Sequence, residues 1–287
     1  MSSLLLSVVI PAYNEAPRLG RTLDQVLAYL NEQQYESELI VVDDGSRDET
    51  VAVAEGRFEG AARGRVATRV IRVEPNRGKG NAVRTGLLAA RGRVALFSDA
   101  DLSTPITEAP KLTGPIRSGQ YDIVFGSRAL DRSLIGVHQP WQREQSGRVF
   151  NLLMRLVTGL PFWDTQCGFK AFRMDVCRAV VEGAVIDRFG FDVELLYIAH
   201  RSGVRLLERA VRWDDAAGSK VSFRSGLQGF DELRQLRRNS RRGVYDEAMA
   251  RARERAERVR DAGPLLLPGE APPETDASPE LAAARRI

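Results

Sequence analysis

Three short apolar runs that each stop at a polar cluster constrain this chain more than any other feature. Residues 4–10 end at Pro11-Ala12-Tyr13-Asn14-Glu15, residues 38–42 at Asp43-Asp44-Gly45-Ser46, and residues 94–98 at Asp99-Ala100-Asp101. Apolar runs of this kind read as strands buried on both faces. Residues 69–73 add a fourth. The segments between them, 17–29, 48–55 and 81–90, read as helices; the first carries Leu19, Leu23, Val26, Leu27 and then Leu30 at helical spacing. Strands alternating with helices predict an α/β fold with a mainly parallel central sheet and helices on both faces. In such sheets ligands bind beyond the carboxyl ends of the strands. One polar strand end is ordinary loop chemistry, whereas three on one edge imply a common ligand.

The pattern changes after Asp122. A strand is expected at 123–126, then a polar loop through Arg143, helices at 148–157, 175–183 and 192–202, and a strand at 205–213. Residues 228–262 read as a basic helical extension behind a catalytic domain of residues 1–227. Residues 263–287, with Pro264, Pro268, Pro272 and Pro273, read as a disordered tail. No internal repeat is visible.

At 287 residues, 43% hydrophobic and 28% charged, the composition suits one large soluble domain with an appendage. Two cysteines, Cys167 and Cys177, make no disulfide framework and fit a reducing, cytoplasmic compartment. The start, Met-Ser-Ser-Leu-Leu-Leu, lacks the positive region of a signal peptide. No run reaches the ~18 apolar residues that read as a membrane span. The net charge is only +4, but arginines crowd between Arg234 and Arg260, where an anionic partner would be met.

Asp99 and Asp101 stand two apart on an extended segment, so both carboxylates can face one site. Two hard oxygen donors suit Mg2+ or Mn2+, completed by waters and substrate phosphates; the plain alternative is a solvated loop. A carboxylate of Asp43-Asp44 could accept hydrogen bonds from a uracil or ribose, or serve an Asp-Gly turn. Asn76-Arg77-Gly78-Lys79-Gly80 precedes a helix, and its glycines, the helix N-terminus and Lys79 favour an anion. Gly-x-Gly-x-x-Gly is absent after the first strand, which argues against a nicotinamide dehydrogenase. Arg128 and Arg143 could each grip a phosphate or lie on a solvated surface. Residues 164–170 show no period and read as a shaped loop. Asp192 opens a helix, as its cap or as an active-site group. Gly218-Ser219-Lys220 is a further candidate phosphate contact. His138 and His200 read as surface or packing residues.

Taken in order, residues 8–15, 41–46, 76–80 and 99–101 resemble the family 2 inverting glycosyltransferases of GT-A fold. Residues 99–105, Gly126-Ser127-Arg128, Asp164-Thr165-Gln166-Cys167-Gly168-Phe169-Lys170, Phe191-Asp192-Val193-Glu194, and Trp213 with Gly218-Ser219-Lys220 are similar to the dolichyl- or polyprenyl-phosphate β-glucosyltransferases. The resemblance covers about residues 5–240. It implies that Pro11, Tyr13, Glu15 and Asp44, with Ala12 and Val42 beside them, hold the nucleoside. Lys79, Asp99 and Ala100 would contact the nucleotide further along, and Asp99 and Asp101 would bind the cation. Arg128, Arg143 and Lys220 would meet the acceptor phosphate or the donor diphosphate. The position two residues beyond Asp101, often a glutamine metal ligand in related mannosyltransferases, is Ser103, which leaves the third ligand open between protein and water.

Relatives of this type often carry a membrane-spanning helix, and none is expected in this sequence. A lipid acceptor would then be met at the membrane surface. Arginines between Arg234 and Arg260 would each add about 1 kcal/mol of attraction to anionic lipid if close to it, or else form intrahelical pairs such as Glu254 with Arg258.

The implied reaction is direct displacement, with the acceptor oxygen attacking opposite a departing UDP and UDP-glucose as the expected donor. A phosphate acceptor is already anionic and needs little base catalysis. A soluble hydroxyl acceptor needs a base, for which Asp164 and Asp192 are the candidates. Two other readings stay open. A sugar-phosphate nucleotidyltransferase would show a glycine-rich basic loop where this chain has Pro-Ala-Tyr-Asn-Glu. A non-catalytic nucleotide-sugar-binding protein would use the same edge without turnover. A nucleic-acid partner is not expected, since no recognised binding module accompanies the arginines. The oligomeric state is open.

Overall fold

The computed structural model describes residues 4–61, 65–137, 151–152, 154–215, 223–260 and 263–265, with the backbone alone at 223–228. Its centre is a seven-stranded sheet. The strands are β1 (Leu6–Ala12), β2 (Ser37–Asp43), β3 (Val66–Arg72), β4 (Val94–Ser98), β5 (Ile123–Ser127), β6 (Ile135–Val137), β7 (Phe169–Arg173), β8 (Leu206–Ala210) and β9 (Trp213–Asp214). The main sheet has the order β3-β2-β1-β4-β7-β5-β8, and β6 pairs apart with β9. Neighbours in the main sheet are parallel except at β7, which is antiparallel to both β4 and β5. The helices are α1 (Ala16–Glu32), α2 (Thr50–Ala61), α3 (Lys79–Ala89), α4 (Ala109–Arg117), α5 (Met174–Gly183), α6 (Phe191–Arg201), α7 (Phe223–Arg241) and α8 (Asp246–Arg260). A further helical stretch covers 151–158 around the undescribed residue 153.

The central strands are apolar throughout because each of their faces enters a core. Along β1, Val9 enters one core while Val8 and Ile10 enter the other; along β2, Ile40 and Val42 oppose Leu39 and Val41. Successive side chains of a strand point to opposite faces, and each buried Val or Leu stabilises by roughly 1.5–3 kcal/mol. Residues of α3, α5, α6, α7 and α8 fill the first core, and α1, α2 and α4 the second. Leu233, Leu236, Ala252 and Ala256 bind the basic helices into that first core. Of the described residues 263–265, Leu265 is buried, and its N–H donates to the Arg117 carbonyl.

Several expectations need correction. The strand expected at 205–213 is two strands in different sheets, β8 and β9. The helical stretch expected at 228–262 starts at Phe223 and breaks at Gly243, whose φ of 72° no helix continues. Residues 169–173, partly inside the expected loop 164–170, form a strand in the middle of the sheet. Lys170 and Arg173 disguised it, because a charge argues against a buried strand until its partner is seen. Those partners are Asp192 and Asp175. No element was expected at α4, where Pro110 and Pro115 interrupt the signal, or at β6.

This topology places the site. The carboxyl ends of β1, β2, β4 and β5 share one edge, with Pro11 opposite Val42 and Ala12 opposite Asp43. Strand β7 runs the other way, so its first residue, Phe169, reaches the same edge opposite Ser98. The amino ends of the parallel strands form the far edge.

Candidate active site

Asp44 follows β2 and is buried. Its carboxylate accepts from the Asn76 side chain at 2.8 Å and from the backbone N–H groups of Arg77 at 3.0 Å and Gly78 at 2.7 Å. It therefore clamps the Asn76–Gly80 loop to the sheet edge. Gly78 has a φ of 115°, and a Cβ there would meet the Asp187 carbonyl at 2.6 Å, so no other residue fits without movement. The clamped loop delivers Lys79 at the first position of α3. Beside it, Tyr13, Gly45, Arg47, Glu74, Pro75 and Asn76 line an open cleft of about 490 Å3. Glu15 pairs with Arg18. Val42 lies wholly in the core, so only its backbone could meet a ligand. Ala100 is also buried, and its carbonyl accepts from Thr22 Oγ1 at 2.6 Å.

Charge pairs build the rest. Lys79 Nζ lies 2.6 Å from Asp99 Oδ1. Lys170 Nζ, fully buried, donates to Asp192 Oδ1 at 2.6 Å and to the Cys167 carbonyl. Both ammonium groups stand 5.6 Å from the centroid of the buried Phe97 ring. Arg128, just past β5, grips Asp164 through Nε at 2.7 Å and Nη2 at 2.9 Å, and its backbone N–H adds a third bond at 3.0 Å. The Arg128 guanidinium also lies 5.6 Å from the Trp213 ring centroid. Asp101 differs: Oδ1 accepts the Ser103 N–H at 3.0 Å, and no basic side chain pairs with it among the described residues. Leu102 follows with a φ of 47°, an uncommon value for a leucine that turns the chain at this point. Gly168 accepts the Asp99 N–H at 3.1 Å, and any side chain at 168 would overlap the Asp99 carboxylate.

The environments set the protonation states. Burial opposes ionisation of Asp164, but Arg128 outweighs it and holds the carboxyl below the usual aspartate range. Asp192 moves the other way, since burial raises it by more than Lys170 and Lys79 lower it. Burial disfavours the Lys79 ammonium, yet Asp99, Asp192 and Asp101 together lift its pKa. The Cys167 thiol is pushed up to about 12, mainly by burial, and stays protonated.

Residues 7–181 match the sequence family described as glycosyl transferase family 2, well over half of the chain. The chain belongs to glycosyl transferase family 2. Among its relatives, a dolichyl-phosphate β-glucosyltransferase of Drosophila melanogaster is 40% identical over 238 residues, covering 79% of this chain and 72% of that protein. The Homo sapiens protein of the same description is 38% identical over 236 residues, covering 78% and 72%. A solved structure of glucosyl-3-phosphoglycerate synthase from Mycobacterium tuberculosis, in complex with Mn2+, UDP-glucose and phosphoglyceric acid, superposes with a TM-score of 0.59 at 20% identity, covering 81% of this chain and 79% of that one. The likeness is one of fold, and it agrees with the expected GT-A architecture.

This family 2 glycosyltransferase brings Tyr13, Asp44, Lys79, Asp99, Asp101, Arg128, Asp164 and Asp192 to one edge of its sheet. Asp192 does not cap α6: the N-cap position is Gly190, without a side-chain cap, and the Asp192 carboxylate is engaged by Lys170. His200 packs against Phe162 at 6.1 Å between ring centroids. Arg143, Lys220 and His138 lie outside the described residues. Two residues of the site escaped sequence reasoning. Lys170 stood in a recognised motif without a role. Glu208, on β8, accepts the N–H groups of Trp163 at 2.8 Å and Asp164 at 2.7 Å, and burial raises its pKa. A single glutamate between Leu207 and Arg209 gives no local signal of that kind.

Proposed function

We propose that this glycosyltransferase moves glucose from UDP-glucose to a polyprenyl or dolichyl phosphate, with inversion at the anomeric carbon. One observation carries the choice of acceptor. The two carboxylates that could serve as a base for a hydroxyl are both buried and tied to cations, Asp164 to Arg128 and Asp192 to Lys170. A phosphate monoester is already anionic and needs no base. The descriptions of the relatives support the sugar and the lipid acceptor. The ligands of the structural neighbour support a UDP-sugar donor and a divalent cation.

The cleft at Tyr13 would take the nucleoside, with Pro11, Ala12, Glu15, Val42 and the Asp44-clamped loop around it. Lys79 and the N-terminus of α3 favour the diphosphate. Asp99, Ala100 and Asp101 form the cation segment. Its donors fit Mg2+ or Mn2+: both are hard carboxylates, and Asp101, which helps lift the Lys79 pKa, makes no direct ion pair among the described residues. No group of three or more His, Cys, Asp and Glu converges on one point among the described residues; the third ligand stays open between protein and water, with phosphate oxygens of the donor beside it. A bound cation supplies neutralisation of the charge that grows on the departing diphosphate. Arg128, oriented by Asp164, would hold the acceptor phosphate, with Arg143 and Lys220 as further candidates. A lipid acceptor goes with peripheral membrane contact at the cytoplasmic face. No helix among the described residues is long and apolar enough to cross a bilayer.

The test is a panel of UDP- and GDP-sugars offered with polyprenyl phosphate, the corresponding polyprenol and 3-phosphoglycerate. Products are read by mass spectrometry and by NMR of the anomeric proton. A β-glucosyl phosphate formed from UDP-glucose and polyprenyl phosphate is the expected product. Transfer to the alcohol or to phosphoglycerate in its place overturns the reading.

A further inference from the structure

We infer that the acceptor side of the site rests on the membrane through an interfacial patch of Leu152, Arg155, Leu156 and Trp163, and not through the arginines of α8. This inference rests on the lipid-phosphate reading above. Leu156 is 72% exposed, and Leu152 and Trp163 are each 56% exposed. These are the three most exposed large apolar side chains among the described residues, and all fall within 152–163. Leu152 and Leu156 are one turn apart, so they share a face of the 151–158 helix. Met154 of the same helix is buried in the core and fixes which face looks outward. The Arg155 guanidinium lies 4.0 Å from the Trp163 ring centroid. Aliphatic, indole and guanidinium groups side by side are the composition that settles at the boundary of headgroups and acyl chains, about 5–10 Å deep.

Position ties this patch to the reaction. Trp163 is the residue before Asp164, and the Trp163 N–H is held by Glu208 at 2.8 Å. The patch is therefore fixed to the Arg128–Asp164 pair. A lipid phosphate lies at headgroup depth, so the groups flanking its binding arginine must meet the bilayer boundary.

The α8 arginines sit elsewhere. Arg253 donates to the Arg201 carbonyl at 3.4 Å and Arg260 to the Gly203 carbonyl at 3.2 Å, both just before the amino end of β8. That is the edge opposite the site. At ~3.3 Å per strand residue the two edges are roughly 15–25 Å apart, beyond the ~8–10 Å over which salt leaves a surface charge effective. Within α8, five arginines face four acidic residues, and Arg258 pairs with Glu254 and Arg251 with Glu182.

The experiment uses the full chain and vesicles of phosphatidylcholine and phosphatidylglycerol at 7:3. Binding is read by co-sedimentation, for wild type, Leu152→Glu/Leu156→Glu and Arg255→Ser/Arg258→Ser. The leucine pair is expected to bind at least about tenfold more weakly and to lose turnover with long-chain polyprenyl phosphate in vesicles. Its turnover with a short, water-soluble prenyl phosphate should match wild type. The arginine pair should bind like wild type. Indole emission should shift to the blue on vesicle addition, and the shift should shrink in Trp163→Phe. Wild-type binding by the leucine pair, or loss of binding by the arginine pair, overturns the inference. A wild type that glucosylates neither prenyl phosphate sinks the acceptor reading instead, whatever the vesicles show. Patch-dependent binding in that case would keep the surface and discard the substrate.

Discussion

The donor and acceptor halves of the site are assembled by different physics. On the donor side β2, β1 and β4 are parallel neighbours, so the polar residues that follow them arrive on one edge by topology alone. Backbone N–H groups then do most of the binding to Asp44. On the acceptor side β7 runs backward between β4 and β5. Positions there depend on buried charge pairs that join residues 22 apart (Lys170 and Asp192) and 36 apart (Arg128 and Asp164). The donor loop is held through its own backbone by one carboxylate, with the Lys79–Asp99 pair beside it. A site held by buried ions loses folding and function together when one ion is removed.

Lys170→Met should break this contrast most forcefully if it is wrong. It strands Asp192 in the core, and loss of one member of a buried pair costs about 3–5 kcal/mol. Denaturant unfolding should show that loss, and Lys170→Met/Asp192→Leu should recover most of it. A single variant within 1 kcal/mol of wild type would mean that the acceptor half is not ion-built (~1 kcal/mol being the ordinary cost of a point change).

On the donor side Asp101→Ala should leave stability nearly unchanged and lower kcat by roughly 10^2–10^3-fold, the usual cost of removing a group that stabilises charge on a leaving group. Turnover that persists and still requires added Mg2+ or Mn2+ would remove Asp101 from the cation site.

Glu208→Gln sharpens the comparison further. A glutamine can accept only on one side, so one of the Trp163 and Asp164 N–H groups loses its partner, a cost of about 1–3 kcal/mol. The KM for polyprenyl phosphate should rise about tenfold, or ~1.4 kcal/mol, while the KM for UDP-glucose stays put. Equal shifts in both would show that Glu208 supports the fold as a whole.

The smallest effect is the response to mild acid. Glu208 is lifted above the ordinary glutamate value of about 4.3. It therefore takes up its proton at a higher pH than an ordinary glutamate and becomes a poorer acceptor for those two N–H groups. Because its folded value is raised, protonation favours the folded state, so the acceptor KM should climb without loss of thermal stability. Asp164 behaves oppositely. Its folded value is depressed, so its contribution is complete above the unfolded aspartate value of about 3.9 and disappears only as pH falls through the lower folded value. Acceptor KM, donor KM and Tm measured against pH separate the two carboxylates.

Much of the donor half was legible in advance. Asp99-Ala100-Asp101, Asp43-Asp44 and Asn76–Gly80 all announce themselves as polar clusters at the ends of apolar strands or the start of a helix. The role of Asp44 was only half legible: an acidic strand end suggested a nucleoside contact, whereas its visible work is to clamp residues 76–78. The acceptor half was readable as a motif but not as an arrangement. Residues 164–170 looked like a loop because polar and apolar residues mix there without a period, and only the carboxylate of Asp192 makes Lys170 acceptable in a central strand.

What the sequence determined by itself was local or nearly so: which segments are strands and helices, and, through the parallel pairing that helical crossovers imply, which strand ends share an edge. Tertiary structure alone decided the reversed direction of β7, the partners of Lys170 and Arg128, the support of Asp164 by Glu208, and the placing of α8 at the edge away from the site. The reason is that periodicity and strand-end chemistry are written in neighbouring residues. The energy of a buried charge depends instead on which distant residue meets it, and no local pattern records that meeting.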